Sequence, residues 1–193
     1  MQLGIFDYYI IIINIIGFIL FAVNTLLYTY TADKQIDSVL TITSLLGGSL
    51  GIVIAILIMD RKAQKGTMMS RVFVICMLVI QIIIFLFIKG FHNDEITFAF
   101  WEFFDKWKIL LIYLLAINIV TLIAFGIDKI NAAEHRSRIK IVTLLGLAFV
   151  GGSIGALIAM YAFRHKIKKD YFTVGVPLII VMQIIVVFYL MNI

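Results

Sequence analysis

The residues of this chain that could do chemistry are gathered late in it. Arg164, His165, Lys166, Lys168 and Lys169 form its densest basic cluster. Cations at the C-terminal end of a helix complement the helix dipole. They can also hold phosphate groups, either loosely at a lipid surface or in a specific head-group site. His165 is the member of the cluster able to change charge near neutral pH. Asp128 and Lys129 lie where an apolar run meets polar sequence. An acid at membrane depth is costly and has a partner or a task. Lys129, Arg138 or the Arg164 cluster is the expected partner, and a placement one turn deeper would make Asp128 a proton or cation site. Glu134 and Arg138 are four apart in the favourable order, which predicts a surface ion pair.

Enzyme chemistry is otherwise thin, and the reading leans away from an enzyme. The three histidines, His92, His135 and His165, fall in three different loops. No His-Glu-x-x-His or paired-cysteine spacing exists, so neither a metal nor a cofactor is expected. No nucleophile elbow is present. Asp128, His135, Arg138, His165 and Lys166 could assemble around a lipid phosphate. In a strictly inverted arrangement of two three-helix halves, however, residues 128–140 and 164–170 lie on opposite faces of a membrane. They meet only if the helices between are short or re-entrant.

A second set is polar but uncharged. Asn14, Asn24, Gln81, Asn118 and Gln183 sit inside apolar runs. Interhelical hydrogen bonds account for such residues; a polar path for substrate or ions, running past Asn14, Gln81, Asn118, Asp128 and Gln183 with charged gates at Lys129 and the 164–169 cluster, is the alternative. A third set is Gly47, Gly48 and Gly51, repeated as Gly151, Gly152 and Gly155. Small residues four apart allow close helix packing. The alternative is a broken helix whose freed amides hold an anion near mid-membrane.

The elements that must position these residues follow from hydropathy. The chain is 63% hydrophobic and 14% charged, with a mean hydropathy of +1.12, far from a soluble domain. Its apolar runs at 8–30, 38–59, 72–88, 109–127, 141–163 and 171–193 match the ~20 residues a bilayer core requires of a helix. Neither a barrel nor any other spanning form fits them. The expectation is an all-α polytopic integral membrane protein of about six transmembrane helices. The lone Cys76 lies inside a run and can form no intramolecular disulfide. The net charge of +5 sits in loops, as in any membrane protein, so nucleic acid is not an expected partner. Phe100, Phe103, Phe104 and Trp107 share one helical face, which predicts a short interfacial helix in the one long loop. Pro177 is expected to kink the sixth run near its start.

The chain also repeats itself at an offset of 104. Gly47-Gly48-Ser49-Leu50-Gly51 corresponds to Gly151-Gly152-Ser153-Ile154-Gly155, Asn14 to Asn118, Phe21 to Phe125, Lys34 to Arg138, Lys62 to Lys166 and Lys65 to Lys169, with Gln81 and Gln183 two residues out of step. This gives a first three-helix repeat over 1–90, an interfacial linker over 91–108 and a second repeat over 109–193. Three crossings per repeat predict inverted topology, an arrangement shared with many transporters. In that arrangement the 16 Lys and Arg residues divide equally between the two sides.

Asn118, Asp128-Lys129 with Ala132, Arg138-Ile139, Gly151-Gly152-Ser153-Ile154-Gly155-Ala156, Arg164-His165-Lys166 with Lys168-Lys169, and Gln183 occur in an order that resembles a small bacterial membrane family catalogued as domain of unknown function 1294. The resemblance covers roughly residues 113–189 and implies a fold unit and candidate residues, but no reaction. Where that family has Pro-Glu after Arg-Ile, this chain has Lys140-Ile141. The first half looks like a degenerate second copy, with Asn24, Thr25, Asp60 and Arg61 at the positions of Asp128, Lys129, Arg164 and His165.

The function expected is that of a small transporter or channel-like protein of a bacterial cytoplasmic membrane, with its pathway between two inverted halves. The alternatives are a lipid-binding or lipid-modifying protein using Arg138, Arg164, His165, Lys166 and Lys169, and a scaffold without ligand. The expected partners are the bilayer, anionic lipid and a second copy of the chain.

Overall fold

The structure is a computed structural model that describes residues 4–31, 37–59, 68–93 and 96–193. Lys34, Lys62 and Lys65 lie outside the described residues. Every regular element described is helical, and six helical segments are long and apolar enough to cross a membrane. The chain divides into two compact units, residues 1–85 and 86–193.

The first unit contains α1 (Ile5–Thr31), α2 (Asp37–Thr43), α3 (Ser49–Met59) and α4 (Met68–Ile88). Between α2 and α3 the chain passes through a wide turn, Ser44–Gly48, in which Gly47 takes φ 118°. That conformation ends a right-handed helix and suits glycine. Beyond the turn α3 lies against α1 so closely that a Cβ on Gly51 would collide with the Asn14 carbonyl oxygen. Leu40, Ile52 and Val74 form the buried core, with Leu20 and Phe21 packed on it.

The second unit opens with α5 (Phe100–Lys106), the short aromatic helix expected in the long loop, and continues into α6 (Lys108–Ala133). Then come α7 (Ile141–Leu147), a turn at Ala148–Gly152, α8 (Ser153–Ala162), α9 (Asp170–Thr173) and α10 (Gly175–Met191). Gly151 takes φ 127°. The sixth apolar run is divided at Val174, between α9 and α10. A proline ring collides with the carbonyl four residues before it; for Pro177 that is Thr173, where α9 ends. At the far end of α10, Asn192 is 1% exposed. Its side chain donates to the Thr97 carbonyl and accepts from the Thr97 N–H, while Tyr189 donates to the Phe91 carbonyl.

The segment Ile141–Ala162 is 22 residues long. As a straight helix it would hold its ends about 33 Å apart. Instead Ile139, just before it, and His165 and Lys166, just after it, all bond to the carboxylate of Asp128. The segment therefore doubles back at Gly151. This corrects the expectation that residues 128–140 and 164–170 lie on opposite faces.

Candidate functional site

The hairpin of α7 and α8 is fastened to its neighbours at the turn and at its open end. At the turn, Asn118 on α6 donates to the carbonyls of Leu114 (2.7 Å) and Gly151 (2.9 Å). Its side-chain oxygen accepts the Gly155 N–H at 2.6 Å. Tyr113 donates to the Val150 carbonyl at 2.7 Å. Gln183 on α10 donates to the Ala148 and Phe149 carbonyls and accepts from the Ser153 hydroxyl. Backbone groups freed by a broken helix must be satisfied inside lipid, and these side chains do that. The glycines divide the work. Gly151 supplies the turn, while Gly152 and Gly155 let α8 approach α6, since a Cβ on either would strike Thr121 or the Asn118 backbone.

The open end is built on Asp128, the one fully buried charged side chain among the described residues. Its Oδ1 accepts the Ile139 N–H at 2.9 Å. Its Oδ2 accepts from Lys166 Nζ at 2.7 Å and from His165 Nε2 at 2.8 Å. Lys166 is itself 14% exposed. Its ammonium lies 4.9 Å from the Phe172 ring centroid and 5.9 Å from that of Phe125, within cation–π range. Burial pulls the lysine below its usual pKa, against the opposing pull of Asp128. Of the partners expected for Asp128, the cluster at 164–169 supplies two, and Lys129 none. Lys129 Nζ instead caps the end of α8, donating to the Phe163 carbonyl at 2.5 Å, a favourable place for a cation. Glu134 pairs with Arg136 at 2.9 Å and not with Arg138. Helix α6 stops at Ala133, so a four-residue spacing from Glu134 no longer shares a helical face.

Two loops at this end hold unusual backbone. Among the described residues, His135 (φ 55°), Arg164 (φ 46°) and Lys166 (φ 63°) are the non-glycine residues with positive φ. His135 and Arg164 follow the ends of α6 and α8 in the position that usually carries glycine. In each case the next N–H reaches back five residues, Arg136 to Asn131 and His165 to Met160. Left-handed backbone costs a non-glycine residue roughly 1–2 kcal/mol. Residues kept in it cluster at functional sites.

Residues 118–172, from Asn118 at the turn to Phe172 beneath Lys166, match the family described as "Protein of unknown function (DUF1294)". A relative from Bacillus subtilis (strain 168), "Uncharacterized protein YsdA", is 40% identical over 75 residues, covering 39% of this chain and 84% of the relative. The chain belongs to this family. No solved structure matches it. The DUF1294 match thus contains both fastenings of the hairpin except Tyr113 and Gln183.

In the first unit the turn is fastened in the same way. Tyr9 donates to the Leu46 carbonyl at 2.7 Å, Asn14 accepts the Gly51 N–H at 2.8 Å, and Gln81 donates to the Ser44 carbonyl. Asn14, Gln81, Asn118 and Gln183 are therefore each engaged with backbone of their own unit. Sequence reasoning passed over Tyr9, Tyr113, Thr121 and Phe172, and named Phe125 only as a repeat match to Phe21. The two tyrosines stand 104 apart, so the repeat itself could have pointed to them.

Proposed function

We propose that this membrane protein binds an anionic phosphate group, of a lipid head group or free, at the open end of the hairpin in its second unit. The observation that carries this reading is the Asp128 keystone. Its neighbour Lys129, the Arg138 that precedes Ile139 and the Arg164 that precedes His165 each stand one residue from a group on the same carboxylate. All three are exposed. Asp128 is already satisfied by other donors, so these cations have no buried acid to answer them, and Lys129 meets only the Phe163 carbonyl. Fold-back also changes the charge pattern. Of the 11 Lys and Arg residues after position 85, eight lie at or beside the open end (Lys129 to Lys140 and Arg164 to Lys169), and Lys89, Lys106 and Lys108 lie elsewhere. The positive-inside rule then puts the open end on the cytoplasmic face of a bacterial membrane, beside the anionic leaflet.

Two experiments test this. Single cysteines at Ser137 and Lys168, with Cys76 replaced, are expected to label from the cytoplasmic side together; labelling from opposite sides would sink the fold-back reading. Protein purified in mild detergent is expected to retain anionic phospholipid above its bulk share, and Arg138→Gln with Arg164→Gln to lose that excess. Retained lipid of bulk composition in the unaltered protein would refute the binding reading.

Transport is the second reading, favoured by the helix broken at Gly151, since discontinuous helices build many transporter sites. The saturation of Asn118 and Gln183 by backbone weighs against a path past them.

A further inference from the structure

We infer that the phosphate bound at this open end is one that still carries a proton, a phosphomonoester or inorganic phosphate, and that Nδ1 of His165 recognises that proton; this rests on the phosphate-binding reading above. Asp128 receives a backbone N–H, an ammonium and an imidazole nitrogen. A carboxylate with that set of donors is ionised and only accepts, so the hydrogen between it and His165 belongs to Nε2. In the neutral form of a ring whose Nε2 carries the hydrogen, Nδ1 is the nitrogen with the lone pair.

That nitrogen is open. The hydrogen bond of the His165 side chain is made by Nε2, and Nδ1 has no partner among the described residues. No buried side-chain nitrogen or oxygen among them lacks a partner, so Nδ1 reaches the surroundings although the side chain is only 16% exposed. The ring is also held in place. Nε2 is fixed by Asp128, and the residues on either side, Arg164 and Lys166, both take left-handed backbone. Lys166 turns its ammonium inward to Asp128.

The ligand must then satisfy exposed cations (Lys129, Arg138 and Arg164) and one fixed lone pair. A phosphodiester meets the first demand and fails the second, because its oxygens carry no hydrogen to offer Nδ1. A phosphomonoester or inorganic phosphate, whose second ionisation lies near pH 6 for phosphorylated side chains, meets both. Its P–O–H can donate to Nδ1.

The test uses the full chain in micelles doped in turn with phosphatidate, phosphatidylglycerol or phosphatidylcholine, with retained lipid measured by mass spectrometry. Phosphatidate is expected to exceed phosphatidylglycerol by about fivefold, as one further hydrogen bond contributes, and phosphatidylglycerol to exceed phosphatidylcholine. His165→Gln, whose amide can still donate to Asp128 from the Nε2 position, should bring phosphatidate down to the phosphatidylglycerol level without lowering the melting temperature. Displacement of phosphatidate by inorganic phosphate would identify the free ion as the ligand, and resistance to it the lipid; both outcomes keep the shared chemistry. Equal retention of phosphatidate and phosphatidylglycerol overturns this inference and leaves a general anion site standing. Equal retention of all three overturns both. Should His165→Gln fail to fold, 15N-histidine NMR of the unaltered protein decides: the Nδ1 signal must move with phosphatidate and not with phosphatidylglycerol, and an unmoved signal rejects the role of His165.

Discussion

Asn14 and Asn118 each accept the N–H of a glycine 37 residues on, and Tyr9 and Tyr113 each donate to the carbonyl just before a positive-φ glycine. The two units thus share the device that breaks and fastens a hairpin. They differ at its open end. The second has Asp128 and Lys129; the first has Asn24 and Thr25 at the matching positions, and the Thr25 hydroxyl bonds within its own helix, to the Phe21 carbonyl. The positions matching Arg164 and His165 hold Asp60 and Arg61, outside the described residues. A broken hairpin is therefore fastened at its turn in the first unit without a buried carboxylate at the Asp128 position. Burying a charge is costly even when it is paired. The second unit carries that cost on a scaffold whose turn is already secured, and the anion site proposed at the open end would give it a use.

The difference can be broken most sharply at its centre. Asp128→Asn leaves the Lys166 ammonium almost buried without a counter-charge, so a loss of about 3 kcal/mol or more is expected, read as a lower unfolding midpoint in detergent. Adding Lys166→Gln should restore much of it, because removing both partners costs less than removing one. A loss below about 0.5 kcal/mol for the single change, the size of an ordinary surface substitution, would mean the ion pair does not distinguish the units.

The likeness is tested next. Gly155→Ala and Gly51→Ala each drive a methyl group into an asparagine backbone on the facing helix. Overpacking of this kind costs roughly 1–3 kcal/mol, and the two losses should agree within additivity error. If one unit tolerates the methyl and the other does not, the shared hydrogen bonds do not reflect shared packing.

Hydropathy was enough to place the six apolar segments, because a bilayer sets their length, and four aromatic residues at helical spacing placed α5. The glycine repeat was legible as well, but its meaning was not. Gly-Gly-Ser-x-Gly reads equally as a packing stripe or a break, and the choice depends on Gly151 having φ 127°, which no composition reveals. From that one torsion follows the rest of the misreading: a straight fifth segment sends residues 128–140 and 164–170 to opposite faces, whereas the folded segment brings both to Asp128. The basic cluster was visible as charge, but not its division into Lys166, turned inward, and Arg164, turned out. That division comes from the loop after α8, where left-handed residues alternate with His165.

Arg164 sharpens the comparison with the smallest expected effect on stability. It occupies the post-helical position that glycine fills without strain, at φ 46°, and its side chain is exposed. Arg164→Gly removes left-handed strain of roughly 1–2 kcal/mol and adds unfolded-chain entropy of about 0.4–1 kcal/mol. The melting temperature should therefore hold or rise slightly. Retention of anionic lipid should fall, because one of the outward cations is gone. A parallel fall in both would mean that the arginine holds the loop. Stability kept while binding falls would mean that the second unit tolerates a strained residue for the sake of its ligand.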